Sequence, residues 1–432
     1  MKVFKFGGAS VKDSVSVRNV ACILEMYSAH PRFQGGCERL FVIVSAMGKT
    51  TNALEQIVHA CYEKQDYAEQ LSALKTYQMT IAQELIPAPT AENAIMPAME
   101  TLFDQLKQTI QQAGAYSDFD ALYDAIVPFG ELFSTQIIFE YLKYNGKNCR
   151  LINAFDWVKT DNYFRSAKVD IENTANQLQN IVAQHPDVPV FITQGFIGAS
   201  AEGNPTTLGR EGSDYTAALA ASILQAESVT VWKDVAGLFN ADPKKMPDAQ
   251  KIATLSYKEA VELAYYGAKI IHPKTIKPIE NNDIPLYIKS FLSPEDEGTC
   301  ICREAENETQ LPFFIFHDNQ ILISISVKDL SFITEESLHH IFGIINRCRV
   351  HVHLMQNSAI SFSVCVDNDP VRCRQLIRLL SEHYTIRYNE NLELITVRHY
   401  QHSDLNALLT DKEILLEQRS RSTAQFVVRE RV

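Results

Sequence analysis

Residues 40–52 read LFVIVSAMGKTTN, and the order of apolar and polar residues in that stretch decides the fold. Leu40 to Val44 are apolar in unbroken succession, without the alternation of a half-exposed strand. Such a strand is covered on both faces, as parallel strands are when helices lie above and below. Ser45-Ala46-Met47-Gly48 follow at its carboxyl end, where open α/β sheets bind ligands. Similar runs recur at 3–6, 188–193, 229–232 and 286–291, separated by helical segments. Within 132–142, Leu132, Phe133, Ile137, Tyr141 and Leu142 fall on one apolar stripe. The expectation for 1–295 is an α/β domain: an open, parallel-rich sheet sandwiched by helices. Gly48-Lys49-Thr50 imitates the end of a P-loop, but that pattern requires glycine at 43, and the residue is Ile43.

Residues 53–127 interrupt the strand pattern. They are rich in Gln, Ala and Glu, contain Pro87, Pro89 and Pro97, and read as a helical excursion from the sheet. A second change comes at 293–310, which is acidic and turn-rich. Beyond it the sequence reads as two small α+β modules. The first has a strand at 321–327 and a helix at 335–346 with Leu338, Ile341, Phe342 and Ile345 on one face. Strands at 350–355 and 359–366 follow, then a helix at 370–381 with Val371, Ile377 and Leu380 inward. A similar order repeats from Leu392 to Val428.

The chain has 432 residues, 46% apolar and 21% charged, with a net charge of −12. Mean hydropathy is −0.12. These values exclude a disordered, collagenous or membrane-embedded chain, and the length allows two or three domains. No apolar run approaches the ~18 residues that span a bilayer, so no membrane partner is expected. The acidic balance speaks against a nucleic-acid partner but leaves room for a local basic pocket. The nine cysteines form no C-x-x-C pair and the amino terminus lacks a signal-peptide core. Reduced thiols in a cytoplasmic protein are the expectation.

Three glycine-bearing turns point to phosphate. Lys5-Phe6-Gly7-Gly8-Ala9-Ser10 ends a strand in paired glycines, which let backbone approach an anion, with Lys5 as a point charge beside them. Alone, Lys5 also reads as a surface lysine before an ordinary turn. Ser45, Thr51 and Asn52 offer hydrogen bonds at the end of the next strand, with helix capping an equal alternative for Thr51 and Asn52. Residues 206–214, TTLGREGSD, lead into a helix bearing Ala217, Ala218, Ala220 and Ala221. The free N–H groups of that helix start favour an anion, and Arg210 can grip a carboxylate or phosphate with two parallel bonds. Asp214 also reads as a residue favouring the helix dipole. Asp234 and Phe239 follow a strand end and suit a ribose and a base; Lys269 sits in a loop. Glu131 opens a helix and would bind an ammonium group. Cys300 and Cys302 lack a second pair for zinc, and His351 and His353 on one strand face are weak grounds for a metal; no metal-ligating protein group is expected.

KFGGAS at 5–10, VSAMGKTTN at 44–52, GE at 130–131, TTLGREGSDYTA at 206–217, WKDVAGLFNADP at 232–243 and GAKIIHP at 267–273 resemble, in that order, the motifs of aspartate kinases, also called aspartokinases. The resemblance implies an amino-acid-kinase domain over 1–295. It implies two ACT domains at 311–390 and 391–432, with 311–317 pairing with the second, through which such enzymes form homodimers and sense amino-acid effectors. The implied reaction transfers the γ-phosphoryl group of ATP, with Mg²⁺, to the side-chain carboxylate of L-aspartate, opening the route to lysine, threonine and methionine. Carried over by position, Lys5 stabilises the transferring group, Gly7 and Gly8 cradle it, and Asp214 orients Lys5, with Ser213 alongside. Ser45 and Thr51 contact substrate, Glu131 pairs with its α-amino group and Arg210 with a carboxylate. Lys233, Asp234, Phe239, Lys244 and Lys269 lie around ATP. The chain departs from the family at Lys233, Phe239, Lys244 and Glu211, where Thr, Tyr, Arg and Gly are common.

Where lysine-inhibited members offer acidic groups to the effector, this chain has His353 and Ala359. Weak or absent lysine inhibition is therefore expected. No dinucleotide fingerprint follows the tail, and a monofunctional enzyme is expected. The alternatives are an amino-acid-kinase relative acting on glutamate or a nucleoside monophosphate, and a catalytically dead amino-acid sensor.

Overall fold

The apolar runs become the strands of one large sheet in the computed structural model, which describes residues 1–29, 39–87, 94–116, 118–268, 271–305, 311–329, 331–403 and 405–431. In chain order these strands are β1 (Lys2–Phe6), β2 (Leu40–Val44), β3 (Cys149–Ile152), β4 (Val190–Gln194), β5 (Ser228–Lys233), β6 (Thr254–Ser256), β7 (Leu286–Ser290) and β8 (Thr299–Cys302). Their spatial order is β6-β8-β7-β5-β1-β2-β4-β3. All neighbours pair parallel except β7 and β8. β2 and β4 are buried at every position, as strands covered on both faces must be. Phe4, Phe6 and Trp232 pack together in the core, with the Phe6 and Trp232 rings stacked 6.0 Å apart.

The helical stretch after β2 contains α1 (Thr50–Tyr62), α2 (Ala68–Leu85), α3 (Ile95–Gln111) and α4 (Phe119–Ile126), followed by α5 (Phe129–Tyr144). It is part of the main core. Leu54, Ile81, Phe103, Leu106 and Ile126 pack in one apolar cluster with Phe133, Phe4 and Val42. Pro97 does not break the run: it is the third residue of α3, where its missing N–H has no intrahelical acceptor to lose. Pro87 follows the end of α2, and Pro89 lies outside the described residues. The helix α6 (Gly212–Ile223) packs on β1, β2 and β5, and its alanines 217, 218, 220 and 221 are fully buried. A Cβ at Gly195, just past β4, would lie 2.6 Å from the Cβ of Ser213, so only glycine admits the helix start at that distance.

Two compact units result: residues 1–238, 252–261 and 270–308 form the first, and 239–251, 262–269 and 309–432 the second. Segments 239–251 and 262–269 thus cluster with the tail, and not with the sheet as a boundary at 295 had it.

The second unit is built on a six-stranded antiparallel sheet of β9 (Phe313–Val327), β10 (Val352–Asn357), β11 (Ser361–Asp367), β12 (Tyr384–Arg398), β13 (Lys412–Arg419) and β14 (Thr423–Glu430). The order is β10-β11-β9-β12-β14-β13. β9 and β12 are both 15 residues long and pair along most of their length, so the expected strand at 321–327 is only the second half of β9. Residues 313–317 pair with 394–398. The helices α7 (Glu335–Arg347) and α8 (Pro370–Ser381) bury Ile341 and Ile345, and Cys373, Leu376 and Leu380. Val371, expected inward, is 76% exposed: α8 starts at Pro370, and the first-turn position faces solvent. Phe342 is also exposed, at the edge of the stripe, touching Phe362 through its ring.

Candidate active site

Lys5 is the last residue but one of the central strand β1, level with Ile43 of β2 and Val231 of β5. Its ammonium lies 2.7 Å from the Asp214 carboxylate in the first turn of α6, and both side chains are nearly buried. Removing either partner of such a pair strands a buried charge, which costs ~3–5 kcal/mol. Lys233, at the end of β5, belongs to the same charge cluster. Burial pushes its ammonium down, the Asp214 carboxylate acts against that, and Lys5 adds to it.

The turn after β1 interlocks with the turn after β2. The Gly48 N–H donates to the Gly8 carbonyl at 3.0 Å, and a Cβ on Gly8 would lie 2.8 Å from the Ala46 carbonyl oxygen. Ala46 N–H in turn donates to Oε1 of Glu131 at 3.1 Å. Glu131 is 3% exposed, and its Oε2 is buried without a hydrogen-bond partner. Burial pushes its carboxyl up to about 8, against the pull of the Ala46 N–H and the Lys5 charge. A buried carboxyl with one oxygen unmet is poised for a cation that the protein itself does not supply.

The loop before α6 holds two left-handed residues, Gly209 (φ +75°) and Glu211 (φ +53°). A non-glycine residue there costs ~1 kcal/mol or more. Glu211 Oε2 accepts the His272 N–H at 2.7 Å, which offsets that cost and fixes the loop. Arg210 is exposed, and its guanidinium has no hydrogen bond or ion pair among the described residues. Thr51 and Asn52 do not cap α1: the helix begins at Thr50 and its N-cap is Lys49, without a side-chain bond.

One cavity of about 470 Å³ gathers Lys5, Gly8, Ser45, Thr51, Glu131, Arg210, Ser213 and Asp214. Gly7 lies next to it in the turn, where a Cβ would stand 3.5 Å from Lys5 Nζ. Asp234 is exposed just past β5. Phe239 and Lys244 fall in the second unit, and Lys269 lies outside the described residues.

The cavity also takes in Tyr123, Arg165 and Phe196, which lie outside the motifs, and Thr207, which the 206–217 motif contains without assigning it a role. Asp124 positions Thr207 and the backbone at Arg165. It is fully buried, and accepts the Thr207 N–H at 2.8 Å, the Thr207 hydroxyl at 2.7 Å and the Arg165 N–H at 2.9 Å. Burial nevertheless raises its carboxyl to about 6. The Arg165 guanidinium lies over the Tyr123 ring at 4.5 Å. A lone acid inside the apolar stretch 121–129 was the available signal, since unpaired acids are almost never fully buried.

Residues 1–290 match the model of the amino acid kinase family. The lysine-sensitive aspartokinase 3 of Escherichia coli strain K12 is 30% identical over 402 residues, covering 91% of this chain and 86% of that one. The crystal structure of E. coli aspartokinase III with lysine and aspartate superposes with a TM-score of 0.82 at 28% identity, covering 99% of this chain and 96% of the other. The structure of the same enzyme with aspartate and ADP gives 0.80 at the same identity and coverage.

Proposed function

We infer that this chain, which belongs to the amino acid kinase family and within it to the aspartokinases, transfers the γ-phosphoryl group of ATP to the side-chain carboxylate of L-aspartate. A carboxylate oxygen forms the new O–P bond, and the bond between the γ-phosphorus and its bridging oxygen breaks. ADP leaves with the electron pair, and the product is 4-phospho-L-aspartate. The nucleophile is ionised at neutral pH (pKa ~3.9), so the reaction needs no general base. Catalysis reduces to positioning and to neutralising phosphate charge.

The arrangement that carries this reading is a single cavity holding both the Lys5–Asp214 pair and the half-satisfied Glu131 carboxyl. Lys5, held by Asp214, meets the phosphoryl oxygens, and Lys233 adds charge behind it. The glycine turn at 7–8 brings backbone close to the phosphates, a distance that side chains there would deny. Glu131 receives the substrate α-ammonium, Arg210 its α-carboxylate, and Ser45, Thr51 and Ser213 its remaining polar atoms. Magnesium, when bound with ATP, would neutralise phosphate charge; Asp214 is committed to Lys5, and no protein ligand for the ion is assigned. Asp234, just past β5, adds to the nucleotide contacts. The enzyme acts in the cytoplasm as a homodimer through its C-terminal unit. The dimer reading is supported by the exposed Phe332, Met355, Ile360 and Val371 there. An amino acid binds that unit as effector.

A hydroxamate assay with ATP tests the reaction. Product is expected with L-aspartate and not with L-glutamate. Turnover of glutamate alone would overturn the acceptor, and effector binding without turnover of either would overturn the enzyme.

A further inference from the structure

We propose that His317, His353 and Asp367 form a binding site for a divalent transition-metal ion of the zinc class in the C-terminal unit. The three residues come from adjacent strands, β9, β10 and β11. One ring nitrogen of each histidine and one carboxylate oxygen of Asp367 lie within 4.8 Å of one another. Two departures from regular pairing put them there. The β10–β11 ladder slips between Val352 and Leu354, and the β9–β12 ladder slips between His317 and Gln320. Bulges of this kind re-aim side chains, and here each one falls at a histidine.

The surrounding hydrogen bonds hold these three side chains in place. His353 Nε2 is largely buried and pairs with Asp367 Oδ1 at 3.0 Å. Gln320 Nε2 donates to the same carboxylate at 2.9 Å and fixes its orientation. His317 Nε2 is 2.9 Å from the Tyr266 carbonyl oxygen, so donation there leaves its other ring nitrogen unprotonated. A carbonyl that accepts the other ring N–H is the usual companion of a ligating histidine. The backbone is pressed against the ring: a Cβ at Gly267 (φ +92°) would lie 2.1 Å from His317 Nε2. The His317 and His353 ring centroids are 4.8 Å apart.

Tetrahedral zinc with bonds of ~2.0–2.1 Å places its ligands ~3.3 Å apart, a small side-chain closure from this arrangement. Two imidazoles and a carboxylate favour zinc and its transition-metal neighbours over magnesium or calcium, which take oxygen ligands. This site is therefore distinct in chemistry from the magnesium that accompanies ATP. Three protein ligands leave a position for water or for a chelating amine or carboxylate. The ion would tie β9, β10 and β11 to the backbone at 266–267.

The test uses the full chain stripped with a chelator, without ATP, and titrated with zinc chloride against a chromophoric chelator. One equivalent is expected to bind. His353→Gln and Asp367→Asn should each weaken that equivalent at least ~100-fold, since loss of even a second-shell partner costs 10–100-fold. Zinc should raise the melting temperature of the unsubstituted protein and not that of either variant, while all three melt alike without metal. Absence of a bound equivalent, or an equivalent held as tightly by both variants, overturns the site.

Discussion

In the kinase unit the polar groups of the cavity come from segments far apart in sequence, around 5, 45–51, 123–131, 165 and 207–214. In the C-terminal unit, His317, His353 and Asp367 come from three neighbouring strands and meet through two slips of register. The two regions solve the same problem by different means. Successive parallel strands deliver their following loops to the same edge of a sheet, so their loops converge there whatever the register. An antiparallel sheet places side chains together only when register is right to the residue, because a slip of one turns each side chain to the other face. Convergence in the first unit is set by topology; in the second it is set by bulges.

If the kinase-unit cavity is an assembled charge site, the largest loss should follow removal of its central cation. Lys5→Ala is expected to lower kcat at least ~100-fold, on the order of 3 kcal/mol, in the coupled ATP–aspartate assay. The circular-dichroism spectrum should stay native. Near-normal turnover would remove Lys5 from phosphoryl transfer and reduce the Lys5–Asp214 contact to a structural ion pair. A smaller effect is expected at the rim. Arg210→Lys keeps the charge but loses the planar fork, and should raise KM for aspartate ~10-fold with kcat held within about threefold. A KM unchanged from the parent would show that Arg210 does not hold the substrate.

The contrast also explains what could be read from the chain. The unbroken apolar run 40–44 was enough to place β2 in the interior of a parallel sheet, and the glycine turns at 7–8 and 209–212 mark the loops at its functional edge. Glu131 was legible as a candidate because an acid beside Gly130 opens a helix. What sequence did not carry is that a Cβ at 130 would meet Ala46 at 2.9 Å, or that Glu131 keeps an unmet oxygen. Asp124 shows locally only as a lone acid in the apolar stretch 121–129; its role, and that of Arg165, depends on the contacts of Asp124 with 165 and 207, which no local pattern encodes. The helical stretch 53–127 looked separate because its composition differs, yet shared burial with Phe4 and Val42 joins it to the sheet core. In the sequence His351 and His353 stand as a pair on one strand. The register that instead brings His353 to His317 and Asp367 is a tertiary property.

Glu131 sharpens the comparison through pH. Its carboxyl sits at about 8 in the free protein because burial disfavours its charge. A substrate ammonium favours the ionised form, so below about pH 8 aspartate must displace a proton to bind. KM for aspartate is therefore expected to fall as pH rises from ~6 to ~8, by at most tenfold per unit, and then to level. Calorimetry of aspartate binding near pH 7 should show heats that vary with the buffer, reporting proton release. Glu131→Gln should abolish both the slope and the buffer dependence while raising KM. A flat KM profile in the parent protein would mean that the ammonium is held elsewhere.

The smallest effect concerns the second unit and is an expected near-absence. An effector with a side-chain ammonium needs a carboxylate that is not already engaged. At the two positions that the aspartate-kinase resemblance matches to acidic effector groups, the chain has His353 and Ala359. Ala359 contributes only its carbonyl, which accepts the Ile333 N–H at 2.9 Å. The nearby acid is Asp367, and its Oδ1 already accepts Gln320 and lies beside His353. An ammonium entering there would have to break the Gln320 bond and sit against an imidazole, which offers no negative charge. Lysine at ~1 mM should therefore change the initial rate by less than about twofold. A sub-millimolar inhibition constant would mean that this unit recognises ammonium through groups other than those at 353 and 359. The sheet register would then be a poor guide to its ligands, and the contrast with the loop-built kinase cavity would lose its force.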